Sequence, residues 1–321
     1  MRTIELTYPH MLILEELPET VAAIGFFDGI HKGHQHVIKT AINEAKNRNM
    51  ESAVITFYPH PSVVLRKEKQ QVKYITPLRE KQEILKRLGV DKLYIITFNS
   101  ELAALQPEAF INHFIKGLHI KHLVAGFDFS YGHKGSGNID TIHDHARGAF
   151  TFTKVDKVEC DNEKISSTRI RKLLSSGEVE KANILLGRPL LVDGLVVKGA
   201  QRGKQMEYPT ANVMTNQEAL LPKPGIYAVK IFYKQEKYEG MASLGFNPTF
   251  EDNLKEPILE VHIFDYNNEL YGEELLIEFH SFVRDEIKFD GMNDLKVQIA
   301  QDEKQIRQLF ANHLNDLSKC E

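Results

Sequence analysis

At 321 residues, 42% of them hydrophobic, the chain has about twice the length of a usual domain and enough apolar residues for two cores. Its 40 lysine and arginine residues are outnumbered by 44 acidic residues, so no net positive field exists to hold a nucleic acid, and nucleic acids are not expected as partners. We expect a cytoplasmic protein without membrane association, because the sequence shows no signal peptide, no apolar run of about 18 residues, and no cysteine spacing typical of zinc sites or disulfide frameworks.

Strands and helices alternate in the first half of the chain. Short apolar runs at residues 21–24, 53–57, 93–98 and 123–125 are typical of buried strands. The clearest helix between them has Thr76 as its N-cap and Pro77 at its first position, and it ends at Gly89. This alternation predicts an α/β fold with a parallel sheet and helices on both faces, which binds ligands at the carboxyl ends of its strands.

The first of these predicted strands leads into residues 25–34, GFFDGIHKGH, and then into a helical pattern. A glycine-rich turn before a helix forms an anion site, because the unpaired N–H groups and the helix dipole both favour phosphate. His31 and His34 are three residues apart and can point the same way, and Gly33 leaves room for a phosphate against the backbone. Taken alone, the two histidines also fit solvated residues at a helix start. A metal site with His36 lacks a nearby carboxylate.

A second segment, residues 165–171 (ISSTRIR), precedes another helical pattern. Its hydroxyl groups and arginines predict a second phosphate clamp, although a serine N-cap with solvated arginines is the favoured explanation of this segment when it is taken alone. Together with His-x-Gly-His about 130 residues upstream, it resembles the nucleotidyltransferase superfamily. That superfamily transfers nucleotides from a triphosphate and releases pyrophosphate.

The pattern changes after helical segments at residues 167–175 and 178–186, where Gly187, Arg188 and Pro189 interrupt it. We therefore predict two domains, residues 1–186 and 187–321. In the second domain, loops rich in Gly, Pro, Asn and Asp separate β-type runs, which predicts an antiparallel barrel or sandwich. These runs span residues 190–197, 226–233, 238–244, 258–264 and 274–282. Apolar residues at helical spacing predict a closing amphipathic helix over residues 293–317: Leu295, Ile299, Ile306, Leu309, Phe310 and Leu314.

Two further segments, 58–61 (YPHP) and 126–132 (GFDFSYG), extend the resemblance of residues 1–183 to the FMN adenylyltransferase domain of bacterial FAD synthetases. The resemblance implies a Rossmann-like nucleotidyltransferase domain. It implies that His31 and His34 are catalytic and that the ATP phosphates are held by Gly25, Phe27, Gly33, Ser166, Ser167, Thr168 and Arg171. It also implies flavin contacts from His60, Pro61 and Asp128, of which His60 and Asp128 fit ordinary turn residues when taken alone. The chain departs from the family at Tyr58, where an aspartate is usual.

The second half matches the pattern of the riboflavin kinase domain at several segments in the same order. They are residues 187–189, 197–203, 208–212, 244–250, 260–265, 270–272 and 283–286. This resemblance implies a closed antiparallel β-barrel with a closing helix, and it makes Glu260 the catalytic base and Arg284 a flavin ligand. The chain departs from the family at Glu207, where a glycine is usual.

Phosphorylation of a ribityl hydroxyl requires a loop around the triphosphate, oxygen ligands for Mg²⁺ and a base near the alcohol. Gly199 and Gly203 can form the loop, and the Thr210 hydroxyl and the Asn212 amide oxygen suit a hard cation. In its β-type run Glu260 shares a face with His262 and Phe264, opposite Val261 and Ile263. Glu260 taken alone is also explained as the polar face of a half-exposed strand.

The two resemblances imply an enzyme of FAD synthesis that makes FMN from riboflavin and ATP, and then FAD from FMN and ATP. Mg²⁺ serves both steps, ATP is the co-substrate, and FMN and FAD are product ligands. Two alternatives stay open on the sequence. In one, only the adenylyltransferase is active and the second domain is a flavin-binding relic. In the other, the chain is a flavin-sensing regulator that binds nucleotide without turnover.

Overall fold

The structure is a computed structural model that describes residues 1–65, 72–198, 208–245 and 257–312. The chain divides into two compact units, Met1–Ser166 (unit 1) and Ser167–Glu321 (unit 2). Some parts of the sequence-based interpretation lie outside the described residues: Gly199, Gly203, Glu207, most of the segment 244–250, and the end of the predicted closing helix from residue 313 onward, with Leu314.

The core of unit 1 is a parallel sheet. In chain order the strands of the unit are β1 (Arg2–Leu6), β2 (Thr20–Ile24), β3 (Glu51–Tyr58), β4 (Lys92–Thr97), β5 (Ile120–Gly126), β6 (Ser130–Tyr131), β7 (Gly137–Asn138), β8 (Thr151–Val155), β9 (Glu159–Cys160) and β10 (Glu163–Lys164). The sheet has the order β1-β4-β3-β2-β5-β8, and β6–β7 and β9–β10 form small antiparallel pairs. All neighbouring strands of the main sheet are parallel, as predicted.

The helices of unit 1 cover both faces of this sheet. They are α1 (Lys32–Arg48), α2 (Pro61–Leu65), α3 (Leu78–Arg87), α4 (Ser100–Ala104), α5 (Pro107–Ile111) and α6 (Ile142–Ala146), with a π-helical turn at Asn112–Lys116. Successive residues of β2 enter different cores, with Ala22 and Ile24 on one face and Val21 and Ala23 on the other. A strand buried on both faces is continuously apolar, and this is why the apolar runs predicted β2 to β5.

The start of α3 differs from the prediction. The N-cap is Pro77 and not Thr76, so the helix begins one residue later at Leu78. The backbone N–H of Thr76 donates a hydrogen bond to Oδ1 of Asp28 at 3.1 Å. This buried contact holds Thr76 in the preceding loop, and the predicted end at Gly89 is found, with φ of 88°.

Unit 2 contains a closed antiparallel barrel, which decides between the two predicted β architectures. Its elements are α7 (Ser167–Ser176), α8 (Val179–Leu186), β11 (Leu190–Val197), β12 (Ala211–Thr215), β13 (Gly225–Tyr233), β14 (Glu236–Gly245), β15 (Ile258–Ile263), β16 (Glu274–Arg284) and α9 (Met292–Ala311). The strand order is β11-β12-β15-β14-β13-β16, and β16 pairs with β11. The predicted closing helix is α9, whose buried Ile306 packs on Ile226, Met241 and Phe264 of the barrel.

Helix α8 packs on the barrel through polar as well as apolar side chains. Asn183 is fully buried; its Nδ2 donates to the carbonyl of Phe279 at 2.8 Å, and its Oδ1 accepts from the N–H of Leu190 at 2.8 Å. Glu180 accepts from the N–H of Phe282 at 3.1 Å. The compact unit that contains the barrel therefore begins before β11, at Ser167.

Candidate functional site

The carboxyl end of β2 lies at the point where the strand order of the sheet reverses. The chain moves from β2 to β3 on one side and later returns to β5 on the other side of β2. In open α/β sheets, ligands bind in the crevice at such a switch point. Residues 25–31, which we call the phosphate turn, leave β2 there and lead into α1.

The phosphate turn has an unusual backbone. Phe27 and Ile30 adopt φ of 52° and 40°, and Gly29 adopts 88°. A β-branched residue such as Ile30 rarely has positive φ, and such conformations cost free energy that the surrounding structure must supply. A Cβ on Gly25 would lie 2.9 Å from the Phe27 ring, so this close packing requires glycine.

The two histidines of the motif lie together at the start of α1. His31 is the N-cap, and its Nδ1 accepts a hydrogen bond from the N–H of His34 at 3.2 Å. The two rings stack with centroids 3.6 Å apart. Because Nδ1 of His31 is an acceptor, the proton of the neutral ring is on Nε2, which can donate to a ligand. A Cβ on Gly33 would lie 3.2 Å from the His31 ring, so space beside the pair is tight.

His34 is neutral at neutral pH. Burial lowers its pKa well below the usual value, and the charges of His31, Lys81 and Lys164 lower it further. Its Nδ1 is buried and makes no hydrogen bond within the described residues. A neutral imidazole donates through one N–H, so this ring acts on a ligand as a hydrogen-bonding dipole and not as a full positive charge.

His60, the predicted flavin residue after β3, lies against the phosphate turn. Its ring contacts Phe26 edge-on at 4.5 Å, and its backbone N–H donates to the Tyr74 hydroxyl at 3.0 Å. Pro61 follows it as the first residue of α2. The structure therefore brings the predicted flavin segment and the predicted phosphate segment together.

Asp128 and Ile165, where the second phosphate segment begins, approach the same edge of the sheet. Asp128 follows β5 and forms an ion pair of 2.6 Å with Lys164, the residue that precedes Ile165 and Ser166. The carbonyl of Ile165 lies 3.9 Å from the Cβ position of Gly33. Ser166 thus comes next to the histidine pair within unit 1. Ser167 and Thr168 begin α7, with Arg171 one turn later, in unit 2.

Lys81 is a residue at this site that the sequence analysis missed. It is 4% exposed, and its Nζ donates to the carbonyl of Phe26 at 2.8 Å. Burial lowers its pKa to about 8, against the opposing effect of Asp28. The available signal was its position on the apolar face of the predicted helix, three and four residues before Ile84 and Leu85.

In unit 2, the barrel brings the predicted base and the predicted metal ligands together. Asn212 of β12 lies directly opposite Glu260 of β15. Glu260 is exposed, whereas its neighbours Leu259 and Val261 are fully buried, so Glu260 lies on the outer face of the barrel. Thr210 immediately precedes β12 and is exposed. Hydroxyl, amide and carboxylate oxygens are donors that Mg²⁺ prefers, so this set fits that ion.

His262 connects this site to a cavity. It shares the face of Glu260, and its Nδ1 is 2.8 Å from the carbonyl oxygen of Pro209. Its ring contacts Tyr208 edge-on at 5.3 Å. Beside it lies a cavity of about 390 Å³, whose lining includes Tyr208, Pro209, His262, Asp265, Tyr266 and Arg307.

Arg284, the predicted flavin ligand, is engaged by α9. Its Nη2 is 2.7 Å and its Nε 3.0 Å from the carboxylate of Asp302, which is 1% exposed. Arg284 nevertheless lies in the same row of cross-strand neighbours as Glu260, through Ser243 and Ile226. In the structure, therefore, Arg284 contacts the carboxylate of Asp302.

Two kinds of feature are absent from the described ranges. Within them, no group of three or more His, Cys, Asp or Glu side chains is arranged to hold a metal ion. Among the same residues, no helix is long and apolar enough to cross a membrane.

Comparison with known proteins gives matches for both units. A family model described as FAD synthetase matches residues 13–169, and one described as riboflavin kinase matches residues 186–310. Proteins named bifunctional riboflavin kinase/FMN adenylyltransferase are similar along nearly their whole length. The one from Listeria monocytogenes is 45% identical over 97% of this chain and 99% of its own. The one from Bacillus subtilis is 43% identical over the same shares.

A crystal structure of a Streptococcus pneumoniae chain, described as a macrolide-efflux protein, is also similar. It has a TM-score of 0.86 and 34% identity, and the match covers 96% of this chain and 99% of that one.

Proposed function

The chain belongs to the family of bifunctional riboflavin kinases/FMN adenylyltransferases, and we infer from this membership that it catalyses both steps of FAD synthesis. ATP phosphorylates riboflavin to FMN, and a second ATP then transfers its adenylyl group to FMN, which gives FAD and pyrophosphate. Both steps use Mg²⁺. Acting on these small molecules, the chain is an enzyme with two activities.

We propose that unit 1 performs the adenylyl transfer, and the stacked pair His31 and His34 is the observation that carries this proposal. An oxygen of the FMN phosphate bonds to the α-phosphorus of ATP as the bond to the bridging oxygen of the β-phosphate breaks, and pyrophosphate leaves. No protein group needs to bond covalently, so alignment and stabilisation of the leaving charge dominate catalysis. Nε2–H of His31, the N–H of the His34 ring and the backbone N–H groups of the phosphate turn are the donors we assign to this task.

The remaining contacts are proposed from position in unit 1 and from the sequence pattern. Gly25, Phe27 and Gly33 shape the turn around the phosphates, and the hydroxyls of Ser166, Ser167 and Thr168 with Arg171 are assigned to the second clamp from the ISSTRIR motif alone. His60 and Pro61, which lie beside the Phe26 ring, and Asp128 after β5 contact the flavin and nucleotide. These residues of unit 1 follow strand ends, where backbone donors or side chains can reach a ligand at the edge of the sheet.

We propose that unit 2 performs the kinase reaction, and the opposition of Asn212 and Glu260 carries this proposal. The ribityl hydroxyl attacks the γ-phosphorus of ATP, the bond from that phosphorus to the β–γ bridging oxygen breaks, and Glu260 accepts the hydroxyl proton. Thr210 and Asn212 would hold Mg²⁺, which supplies charge neutralisation on the phosphates when bound. Gly199 and Gly203 are assigned to the phosphate loop from the sequence pattern alone.

The domain assignment and the cellular location are also proposals. We propose that the sequence division at 186 separates the kinase barrel from the adenylyltransferase part, with α7 and α8 packing in unit 2. We further propose a cytoplasmic enzyme without nucleic-acid or membrane partners. Cell fractionation followed by assay of FAD formation tests this location, and activity that stays in the membrane pellet would contradict it.

One incubation tests the function and separates it from the alternatives. The full chain is incubated with riboflavin, ATP and MgCl₂, and FMN and FAD are separated by chromatography. Formation of both products, each abolished by EDTA, is the expected result. FAD from added FMN without FMN from riboflavin would indicate a kinase relic. Binding of flavin without either product would indicate a regulator and would contradict the proposed function.

A further inference from the structure

Lys81 is a buried lysine below the phosphate turn for which the reaction described above has no role. It projects from the first turn of α3, beside the carboxyl ends of β2 and β3, and it is 4% exposed. Its Nζ lies 2.8 Å from the carbonyl oxygen of Phe26 and 3.5 Å from Oγ1 of Thr56. Thr56 itself donates to the same carbonyl at 2.9 Å.

These contacts converge on one peptide of the turn. The ammonium also lies over the Phe26 ring, 4.6 Å from its centroid, and the same ring contacts the nearly perpendicular His60 ring at 4.5 Å. Burying a lysine is costly, so a chain that only needed to fill this space would do better with an apolar side chain. The residues that follow are Phe27, Gly29 and Ile30, with φ of 52°, 88° and 40°. Such a backbone conformation persists only when contacts from the surrounding structure stabilise it.

We propose that Lys81 is a positioning residue for adenylyl transfer: its ammonium fixes the carbonyl of Phe26 and so holds the phosphate turn in the conformation that presents its N–H groups and the histidine pair to ATP. This inference rests on the proposed adenylyltransferase function of unit 1. It concerns a side chain outside the His-x-Gly-His and ISSTRIR motifs.

The charges around Lys81 connect it with the histidine pair. The charge of Asp28 in the turn favours the ammonium form of Lys81, and Glu80 is its buried neighbour on α3. In turn, the charge of Lys81 lowers the pKa of His34, together with those of His31 and Lys164. The ammonium therefore also helps to keep His34 neutral.

A pH dependence follows. Burial lowers the pKa of Lys81 to about 8, so the ammonium is the main form below that pH and is lost as the pH rises through it. Above that pH the charge-assisted hydrogen bond to Phe26 becomes a neutral one, which is weaker. The value of kcat/KM reports groups of the free enzyme, so kcat/KM for FMN adenylation should fall on the alkaline side with one proton.

The test uses three variants of the full chain, each assayed for FMN adenylation and riboflavin phosphorylation from pH 7 to 10. Lys81→Met removes the charge at similar length, Lys81→Arg keeps a charge that is not lost in this range, and Lys86→Met changes an exposed lysine of the same helix as the control. Riboflavin phosphorylation in the same samples reports general damage.

We expect Lys81→Met to lower kcat/KM for FMN adenylation about tenfold or more, the factor that corresponds to one charge-assisted hydrogen bond. Phosphorylation of riboflavin should stay within about twofold, and Lys86→Met should match the parent in both reactions. Lys81→Arg should recover part of the adenylation and lose the alkaline fall.

Adenylation by Lys81→Met within about twofold of the parent would overturn the inference. If Lys81→Met does not fold, the comparison of the parent with Lys81→Arg decides: an alkaline fall that is absent in the parent, or unchanged in Lys81→Arg, is evidence against it. A parent chain that makes no FAD overturns the proposed function and this inference together, whereas the results above concern Lys81 alone.

Discussion

Asn183 offers a direct test of whether α8 belongs structurally to the kinase barrel. Its side chain is fully buried and pairs with two backbone groups of the barrel, the carbonyl of Phe279 and the N–H of Leu190. We predict that Asn183→Ala destabilises unit 2 and leaves the stability of unit 1 nearly unchanged. The reason is that both backbone groups would stay buried without their partner.

The size of the effect follows from the two lost hydrogen bonds. Leaving one buried polar group unpaired costs about 1–3 kcal/mol, so two such groups cost about 2–6 kcal/mol. For a unit of this size, 1 kcal/mol changes the melting temperature by about 2–4 °C. The temperature at which kinase activity is lost should therefore fall by roughly 4–24 °C.

The assay is thermal inactivation of both activities in one preparation. Samples of the parent and of Asn183→Ala are heated, cooled and assayed for riboflavin phosphorylation and for FMN adenylation. Lys181→Ala, at an exposed position of the same helix, is the control. Kinase inactivation within about 1 °C of the parent, or an equal fall in both activities, would refute the reasoning.

Three further substitutions test the proposed sites. Exchange of His31 and His34 together for alanine should abolish FAD formation and spare FMN formation, since each well-placed donor contributes about 3 kcal/mol to the transition state; most adenylation retained in a chromatographic assay would refute the phosphate role. Glu260→Gln should remove riboflavin phosphorylation and spare FMN adenylation, and a kinase rate within about threefold of the parent would show that Glu260 is not the base. His262→Leu should raise the Mg²⁺ concentration that the kinase requires, because the carbonyl of Pro209 loses its hydrogen-bond donor. His262→Asn keeps a donor and should raise this concentration less. Mg²⁺ titrations with equal midpoints would contradict this prediction.

The sheet of unit 1 was predictable where strands are buried on both faces. All five residues of β2 are buried, and such a run is recognisable without any partner in view. The sequence pattern does not predict β1 and β8, which are the outermost strands and have only one buried residue each in five. Half-exposed edge strands have no continuous apolar run, so their pairing with β4 and β5 is visible only in the fold.

For a similar reason, the sequence of unit 2 predicts an antiparallel barrel or sandwich and does not decide between them. Strand β12 joins β11 to β15, yet its five residues include an exposed Met214 and also Asn212, which the sequence predicts as a metal ligand. A strand that presents functional side chains outward does not show the pattern of a core strand. Without β12 the sequence cannot show that the sheet closes.

Motif residues were predictable because they are close together in the chain, and supporting residues were not. His31 and His34 occupy one helical turn, so their stacking follows from spacing. Lys81 reaches Phe26 across 55 positions, and Asn183 reaches Phe279 across 96. A lysine on an apolar face can be detected in the sequence, but its acceptor cannot, because the approach of α3 to the end of β2 depends on packing of the whole unit.

Arg284 has a structural partner that the resemblance to riboflavin kinases does not indicate. Its guanidinium pairs with Asp302 of α9, a carboxylate that also accepts from Nε2 of Gln298 at 2.9 Å. A buried carboxylate without its arginine would cost several kcal/mol, so this pair fixes α9 on the outer face of the barrel. Helix α9 also supplies Arg307 to the cavity beside His262. A contact of Arg284 with flavin therefore has to be made by N–H groups that Asp302 leaves available, and the first effect of replacing Arg284 should be on the position of α9.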